Sequence, residues 1–158
     1  MNGVVRTFHD FEVGDLIRPA PVLVSRGEIL DFARRYDAIG AGWMPGDAGP
    51  ATPVASPLLV ATLVLGALFR ELKALDTGLL GAPQIDGLRL PAPVRAQDRL
   101  DIVGEVIARQ LEPDGTGRLL VALRTRTGRG TPALVAEVAL PVLATARVRI
   151  LEKAATDG

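Results

Sequence analysis

Apolar and polar positions repeat with two different periods along this chain, and the change of period divides it. Residues 26–36 place Ile29, Leu30, Phe32, Ala33 and Tyr36 at helical spacing and leave Asp31, Arg34 and Arg35 for water. Ser25 and Glu28 frame the start as a capping box, the hydroxyl taking the Glu28 amide and the carboxylate returning to the Ser25 amide. Val24 and Ile29 occupy the two positions of a hydrophobic staple. Upstream, residues 16–24 read as a short extended segment whose Pro19 and Pro21 suit an edge strand. From 37 to 53 the pattern dissolves into Gly, Ala, Pro and Asp, a loop of a length that often carries function.

A second helix follows. Ser56 is a good N-cap, and Pro57 fits the first helical position because its missing N–H has no helical acceptor to lose. Leu58, Leu59, Val60, Ala61, Leu63, Val64, Leu65, Ala67, Leu68 and Phe69 then run apolar nearly all the way round, and Arg70, Glu71 and Lys73 close the helix. Such a helix is expected to be buried on every face. Its apolar stretch falls short of the ~20 residues of a membrane span, and Thr62 and Gly66 interrupt it, so no membrane partner is expected.

Beyond residue 84 the period drops to two. Residues 85–90 form a short strand running into Pro91 and Pro93, and 99–110 a long one with Leu100, Ile102, Gly104 and Val106 on one parity. Residues 112–117 (Glu-Pro-Asp-Gly-Thr-Gly) are turn chemistry. Residues 118–127 return with Leu119, Val121, Leu123 and Thr125 alternating against Leu120, Ala122, Arg124 and Arg126. A second turn at 128–132 leads to a strand at 133–144, and 147–151 ends the ordered chain, leaving 152–158 as a frayed tail. An α+β fold is predicted: an antiparallel curved sheet wrapped around a central apolar helix. A cone-shaped sheet of the cystatin kind is the structural alternative, although such folds lead with amphipathic helices.

Composition narrows the chemistry. The 158 residues suit one domain, and 18 basic against 18 acidic side chains give zero net charge, which argues against nucleic acid. Sixteen of the basic residues are Arg, a bias that reads as genome composition. With no cysteine there is no disulfide scaffold, thiol catalysis or Cys metal site; with His9 as the only imidazole a His-rich metal site is excluded, and no metal or cofactor is expected. Residues 1–15 are polar and acidic without an apolar leader, so a cytoplasmic protein is expected.

Four stretches then carry a likeness: residues 8–15 (FHDFEVGD); the helix ending 32–37 (FARRYD); residues 53–56 (PVAS) with the apolar helix after them; and residues 88–100 (LRLPAPVRAQDRL). In this order the chain resembles the MaoC-like family of acyl dehydratases and (R)-specific enoyl-CoA hydratases, over most of its length. The resemblance implies a single hot-dog domain and a thioester of coenzyme A or acyl carrier protein as ligand. It also implies a homodimer joined through sheet edges, or a heterodimer with an active homologue. The family's chemistry is addition of water across a 2-enoyl thioester or its reverse. An Asp and a His five residues apart act as acid and base, and an N–H at the start of the hot-dog helix holds the thioester oxygen.

On that pattern Asp37 stands at the catalytic aspartate, but Gly42 replaces the histidine, Pro57 replaces the glycine that offers its N–H, and Leu65 stands where a hydroxyl is common. Asp37 is the candidate acid/base; its other reading is a solvated Asp opening an Asx-turn. Trp43, Ser56 and Leu58 are the candidates on the thioester-oxygen side. Against them, Trp43 and Met44 could be local core plugs, and capping alone would explain Ser56. His9, on an N-terminal arm free to reach a site, or Asp47 could supply a missing base; the bland reading of His9 is a surface histidine. Arg124, Arg126 and Arg129 could meet the phosphates of coenzyme A or simply line a solvated sheet face.

Three functions fit. A dehydratase or hydratase with a substitute base predicts loss of enoyl absorbance without thiol release. A thioesterase predicts thiol release. A non-catalytic thioester-binding subunit predicts neither, and an active homologue encoded nearby.

Overall fold

The computed structural model describes residues 5–36 and 53–145. Asp37, Gly42, Trp43, Met44 and Asp47 lie outside the described residues, as do the strand expected at 147–151 and the tail at 152–158. A 3-10 turn at Phe8–Asp10 is followed by two short strands, β1 (Leu16–Ile17) and β2 (Val22–Leu23), and helix α1 (Arg26–Tyr36). Helix α2 (Pro57–Ala74) then leads to β3 (Gln84–Arg89), β4 (Arg99–Leu111), β5 (Thr116–Thr127) and β6 (Pro132–Leu143).

The strands form an antiparallel sheet in the order β1-β4-β5-β6-β3, with β2 also pairing β4. The expected edge segment is thus two strands, broken where prolines remove ladder donors. Turn chemistry sets the long hairpins: Gly115 takes φ +82 between β4 and β5, where the Thr116 N–H donates to the Asp114 carboxylate at 2.8 Å. The meander β4-β5-β6 is as the period predicts. β3 departs from it, because the chain crosses the whole sheet and lays β3 on β6 at the far edge.

Parity decides which face α2 meets. Leu100, Ile102 and Val106 of β4, Leu119, Val121 and Leu123 of β5, and Leu134, Val138, Leu140 and Val142 of β6 are buried and join Leu59, Val60, Val64, Leu68 and Leu72 of α2 in one cluster. Gly104 lies under this cluster: a Cβ there would lie 2.9 Å from Val121 Cγ1 on the neighbouring strand and 3.6 Å from both Leu68 Cδ1 and Ile17 Cβ.

The helix is not buried on every face, contrary to its composition. Leu58 is 63 % exposed, and Thr62, Arg70 and Lys73 are exposed along the same side. A sheet can curl around three sides of a helix but leaves a strip open, and here Thr62 answers that strip by donating its hydroxyl to the Leu58 carbonyl at 2.8 Å. α1 departs in the same direction: its capping box forms as expected, at 3.1 and 3.2 Å, but only Ile29 is buried and Tyr36 is 67 % exposed.

Two substitutions test this packing. Gly104→Ala should destabilise by about 1–3 kcal/mol, because Val121 must yield, measured by urea unfolding. Thr125, 1 % exposed, keeps a buried hydroxyl with no hydrogen-bond partner among the described residues. Thr125→Val should therefore raise stability by about 1 kcal/mol in the same measurement.

Candidate functional site

The start of α2 is positioned by residues 94–98, part of the 88–100 stretch that carries the likeness but whose sequence alone shows no positioning role. The Ala55 N–H donates to the Val94 carbonyl at 2.8 Å and the Ala96 N–H to the Pro53 carbonyl at 3.2 Å, fixing the strap that leads into the helix. On its other side the Gln97 N–H donates to the Val24 carbonyl at 2.8 Å and the Val24 N–H to the Asp98 carbonyl at 2.9 Å. One turn thus holds the segments that lead into both helices. Its own shape comes from Asp98, whose carboxylate accepts the Arg95 N–H at 2.8 Å, and from Gln97 at φ +72. An Asp three residues after an Arg at the end of a proline-rich stretch was the available signal.

At the helix start, Ser56 holds the N-cap position, but its hydroxyl makes no cap hydrogen bond. That corrects the capping explanation of this residue. Pro57 leaves no N–H to a side chain at the expected place, and among the described residues no acceptor sits on the Leu58 or Leu59 N–H. The first four N–H groups of a helix have no acceptor within it, so this end carries partial positive charge and open donors beside a half-buried hydroxyl. The Leu58 side chain points to solvent, so this residue can serve a ligand's polar atom only through its backbone.

His9 belongs to the other end. The Arg6 N–H donates to the Asp76 carbonyl and the Gly78 N–H to the Arg6 carbonyl, both at 2.9 Å, so the N-terminal segment closes over the C-terminal end of α2. Phe8, 6 % exposed, packs on Gly117, where a Cβ would come within 2.6 Å of the Phe8 Cβ. The Arg109 guanidinium covers the Phe8 ring at 4.6 Å and donates to the Phe11 carbonyl, and Arg6 covers Phe11 at 4.5 Å. His9 stands edge-on to Phe8, exposed, with ring centroids 5.3 Å apart. The arm is therefore anchored rather than free. An 18-residue helix is ~27 Å long, so His9 cannot serve the N-terminus of α2 in its own chain.

Arg124 and Arg126 lie on the outer sheet face, where Arg124 pairs with Glu105 at 2.9 Å and Arg126 donates to the Gly130 carbonyl at 2.8 Å. With Arg99–Asp101 at 3.0 Å they form an exposed, charge-laced surface, and they do not converge on the helix start. Beside the C-terminal half of α2 lies a groove of about 730 Å³ lined by Phe69, Lys73, Thr77, Leu140 and Leu143 among others. Among the described residues no group of His, Cys, Asp or Glu could hold a metal ion, and no helix is long and apolar enough to cross a membrane.

No protein-family pattern matches the sequence, and no curated protein sequence matches it either. Solved structures do match. A MaoC-like dehydratase from Rhodospirillum rubrum superposes with a TM-score of 0.76 at 21 % identity, over 90 % of this chain and 99 % of that one. A double hot-dog protein of Mycobacterium tuberculosis gives 0.65 at 22 % identity, over 94 % of this chain and 47 % of that longer one. The chain has the hot-dog fold. The HadBC complex of Mycobacterium tuberculosis, a 3R-hydroxyacyl-ACP dehydratase, shares it at a TM-score of 0.61 and 19 % identity, over 83 % of this chain and 98 % of that one. In this hot-dog chain α2 is the central helix.

The anchored arm makes a pH prediction. The Asp10 carboxylate accepts the Thr7 N–H at 2.7 Å and the Thr7 hydroxyl at 2.9 Å, and these bonds, aided by Arg6 and His9, hold it below the usual carboxylate range. A depressed carboxylate stabilises the folded state above its ordinary value and loses that contribution as pH falls through the folded value. Melting temperature followed from pH 6 downwards should accordingly fall less steeply below about pH 4 in Asp10→Asn than in the parent protein.

Proposed function

We propose that this chain is a MaoC-like acyl-thioester protein of one hot-dog domain, acting in the cytoplasm on 2-enoyl or 3-hydroxyacyl thioesters of coenzyme A or acyl carrier protein. The observation that carries the reading is the start of α2: backbone donors without an acceptor among the described residues and a Ser56 hydroxyl that makes no cap hydrogen bond, in a fold shared with dehydratases. (R)-Hydratases of Pseudomonas aeruginosa and A. caviae have this fold too.

In this reading the thioester oxygen takes the Leu58 N–H in place of the donor that Pro57 removes, with Ser56 beside it and Trp43 bordering the acyl chain. As a proton leaves the carbon next to the thioester, negative charge builds on that oxygen, and donors at a helix N-terminus stabilise it without reorganising. Asp37 accepts the proton and returns one to the departing hydroxyl, which leaves as water; hydration runs the same steps backwards. No coenzyme beyond the thioester carrier takes part. Because the chain's one imidazole is held at the opposite end of α2, the acid–base work falls to this carboxylate.

The same observation favours a second reading, a thioester-binding subunit without turnover of its own. A hot-dog thioesterase using the Asp37 carboxylate is the third.

The test is a panel of 2-enoyl-CoA thioesters with absorbance and free thiol followed together. Loss of absorbance without thiol is expected, abolished in Asp37→Ala and reduced roughly tenfold or more in Ser56→Ala. Thiol release would move the assignment to a thioesterase. Silence in both channels, with acyl-CoA binding retained by calorimetry, would leave the non-catalytic subunit, and absence of binding would end the thioester reading altogether.

A further inference from the structure

We propose that the groove beside the C-terminal half of α2 is a binding site for a free aliphatic carboxylate, its chain lying against Phe69, Leu140 and Leu143 and its charged end meeting the Lys73 ammonium. At about 730 Å³ the groove is of the size that takes a small organic ligand. Its apolar walls come from four parts of the chain: Val5 of the N-terminal arm, Phe69 of α2, Leu79 of the segment after it, and Leu140 and Leu143 of β6. Leu140 is buried, but Phe69, Leu79 and Leu143 are half-buried and Val5 is exposed, so this is apolar surface that the core does not take in.

The walls are held in place before any ligand arrives. The Leu80 N–H donates to the Pro141 carbonyl at 2.8 Å and the Leu143 N–H to the Gly78 carbonyl at 2.7 Å, which ties the segment after α2 to the end of β6. The Gly78 N–H reaches the Arg6 carbonyl at 2.9 Å and adds the arm to the same framework. A site built in this way loses little freedom on binding.

Charge decides what kind of molecule fits. Lys73 and Asp76 line the groove, three residues apart, yet neither belongs to any of the ion pairs among the described residues. Lys73 follows Phe69 by four residues and so shares its stripe of the helix. Long helical side chains lean towards the N-terminus, which carries the Lys73 stem back over Phe69 and the groove. Asp76 is short and stands beyond the helix end, at φ +51. The last carbonyls of α2 do not oppose an anion either, because they are already engaged. Glu71, Lys73 and Leu72 accept the N–H groups of Leu75, Asp76 and Thr77 at 2.9–3.0 Å. Arg70 does not line the groove, and its guanidinium lies 3.3 Å from the place a Cβ on Gly66 would take. One free ammonium beside one carboxylate suits a singly charged head better than a phosphate. The methyl end of an acyl chain held at the start of α2 would bring no charge to Lys73, so the occupant is a free acid. The site is also separate from that end: Phe69 lies eleven residues past Leu58, ~16 Å along the helix.

This inference does not depend on the thioester reading, and its test reads binding alone. Calorimetry with hexanoate, octanoate and decanoate should show affinity rising about three- to fourfold with each added methylene. Decanoate should bind more tightly than decanol or decylamine. Lys73→Met, at an exposed position, should weaken decanoate about fivefold and leave decanol unchanged. Leu143→Asp should weaken all three ten-carbon ligands by tenfold or more, with circular dichroism confirming the fold, and Ser56→Ala should weaken none. No binding of decanoate at millimolar concentration, or no dependence on chain length, would overturn the proposal. So would tighter binding of decylamine, or binding lost in Ser56→Ala and kept in Leu143→Asp. The enoyl-CoA assay stands or falls apart from each of these results.

Discussion

Eighteen residues of α2 carry ten apolar side chains before their first charge, more apolar surface than a solvated helix could leave in water. Burying Leu59, Val60, Val64, Leu68 and Leu72 contributes on the order of 10 kcal/mol, so the rest of the molecule is arranged around that burial. The long strands must curl to meet the helix, and they do so with a register shift between Val106 and Ala108 in β4 and another between Thr125 and Arg126 in β5. Gly104 leaves room for Val121 beside it on the packed face of the sheet. The N-terminal arm, with Phe8 and Phe11 under two guanidinium groups, seals the far end.

What this burial leaves over is as informative as what it takes in. A curled sheet covers α2 from three sides, and its reach ends before β3. The exposed strip at Leu58 and Thr62 and the groove beside Phe69 and Lys73 are what the sheet leaves of α2. Among the described residues nothing caps the N-terminus of α2: Pro57 suits the first helical turn, but the Ser56 hydroxyl makes no cap hydrogen bond.

The two ends of α2 have different chemistry, and the difference constrains mechanism. At the N-terminus the helix offers partial positive charge, open donors and a hydroxyl, held by the 94–98 turn. At the C-terminus lie the cation–aromatic stack and the chain's one histidine. A histidine-based dyad within one chain would need those ends brought together, and the rigid helix between them forbids it. His9 can therefore take no part in chemistry at the N-terminal end of α2 in its own chain.

Much of this was legible in residue order. The Ser25–Glu28 capping box, the limits of α1, the Pro57 start of α2 and the parity of β4 and β5 are local, and local backbone hydrogen bonding and alternate burial fix them from sequence alone. The resemblance to dehydratases was carried by short stretches that keep their order, and the fold agrees with them. Other features depended on what lay across the fold. That β3 crosses to the far edge, that Leu58 and Tyr36 meet water, and that Ser56 leaves its hydroxyl unused are outcomes of which surfaces the sheet could reach. His9 shows the contrast most sharply: its sequence neighbours Phe8 and Phe11 marked an apolar anchor, but only the hydrogen bonds of Arg6 to residues 76–78 decided which end of α2 that anchor would close. Sequence determines local pairing and the amount of apolar surface to hide; the tertiary structure decides which surface hides it, because burial is shared among elements far apart in the chain.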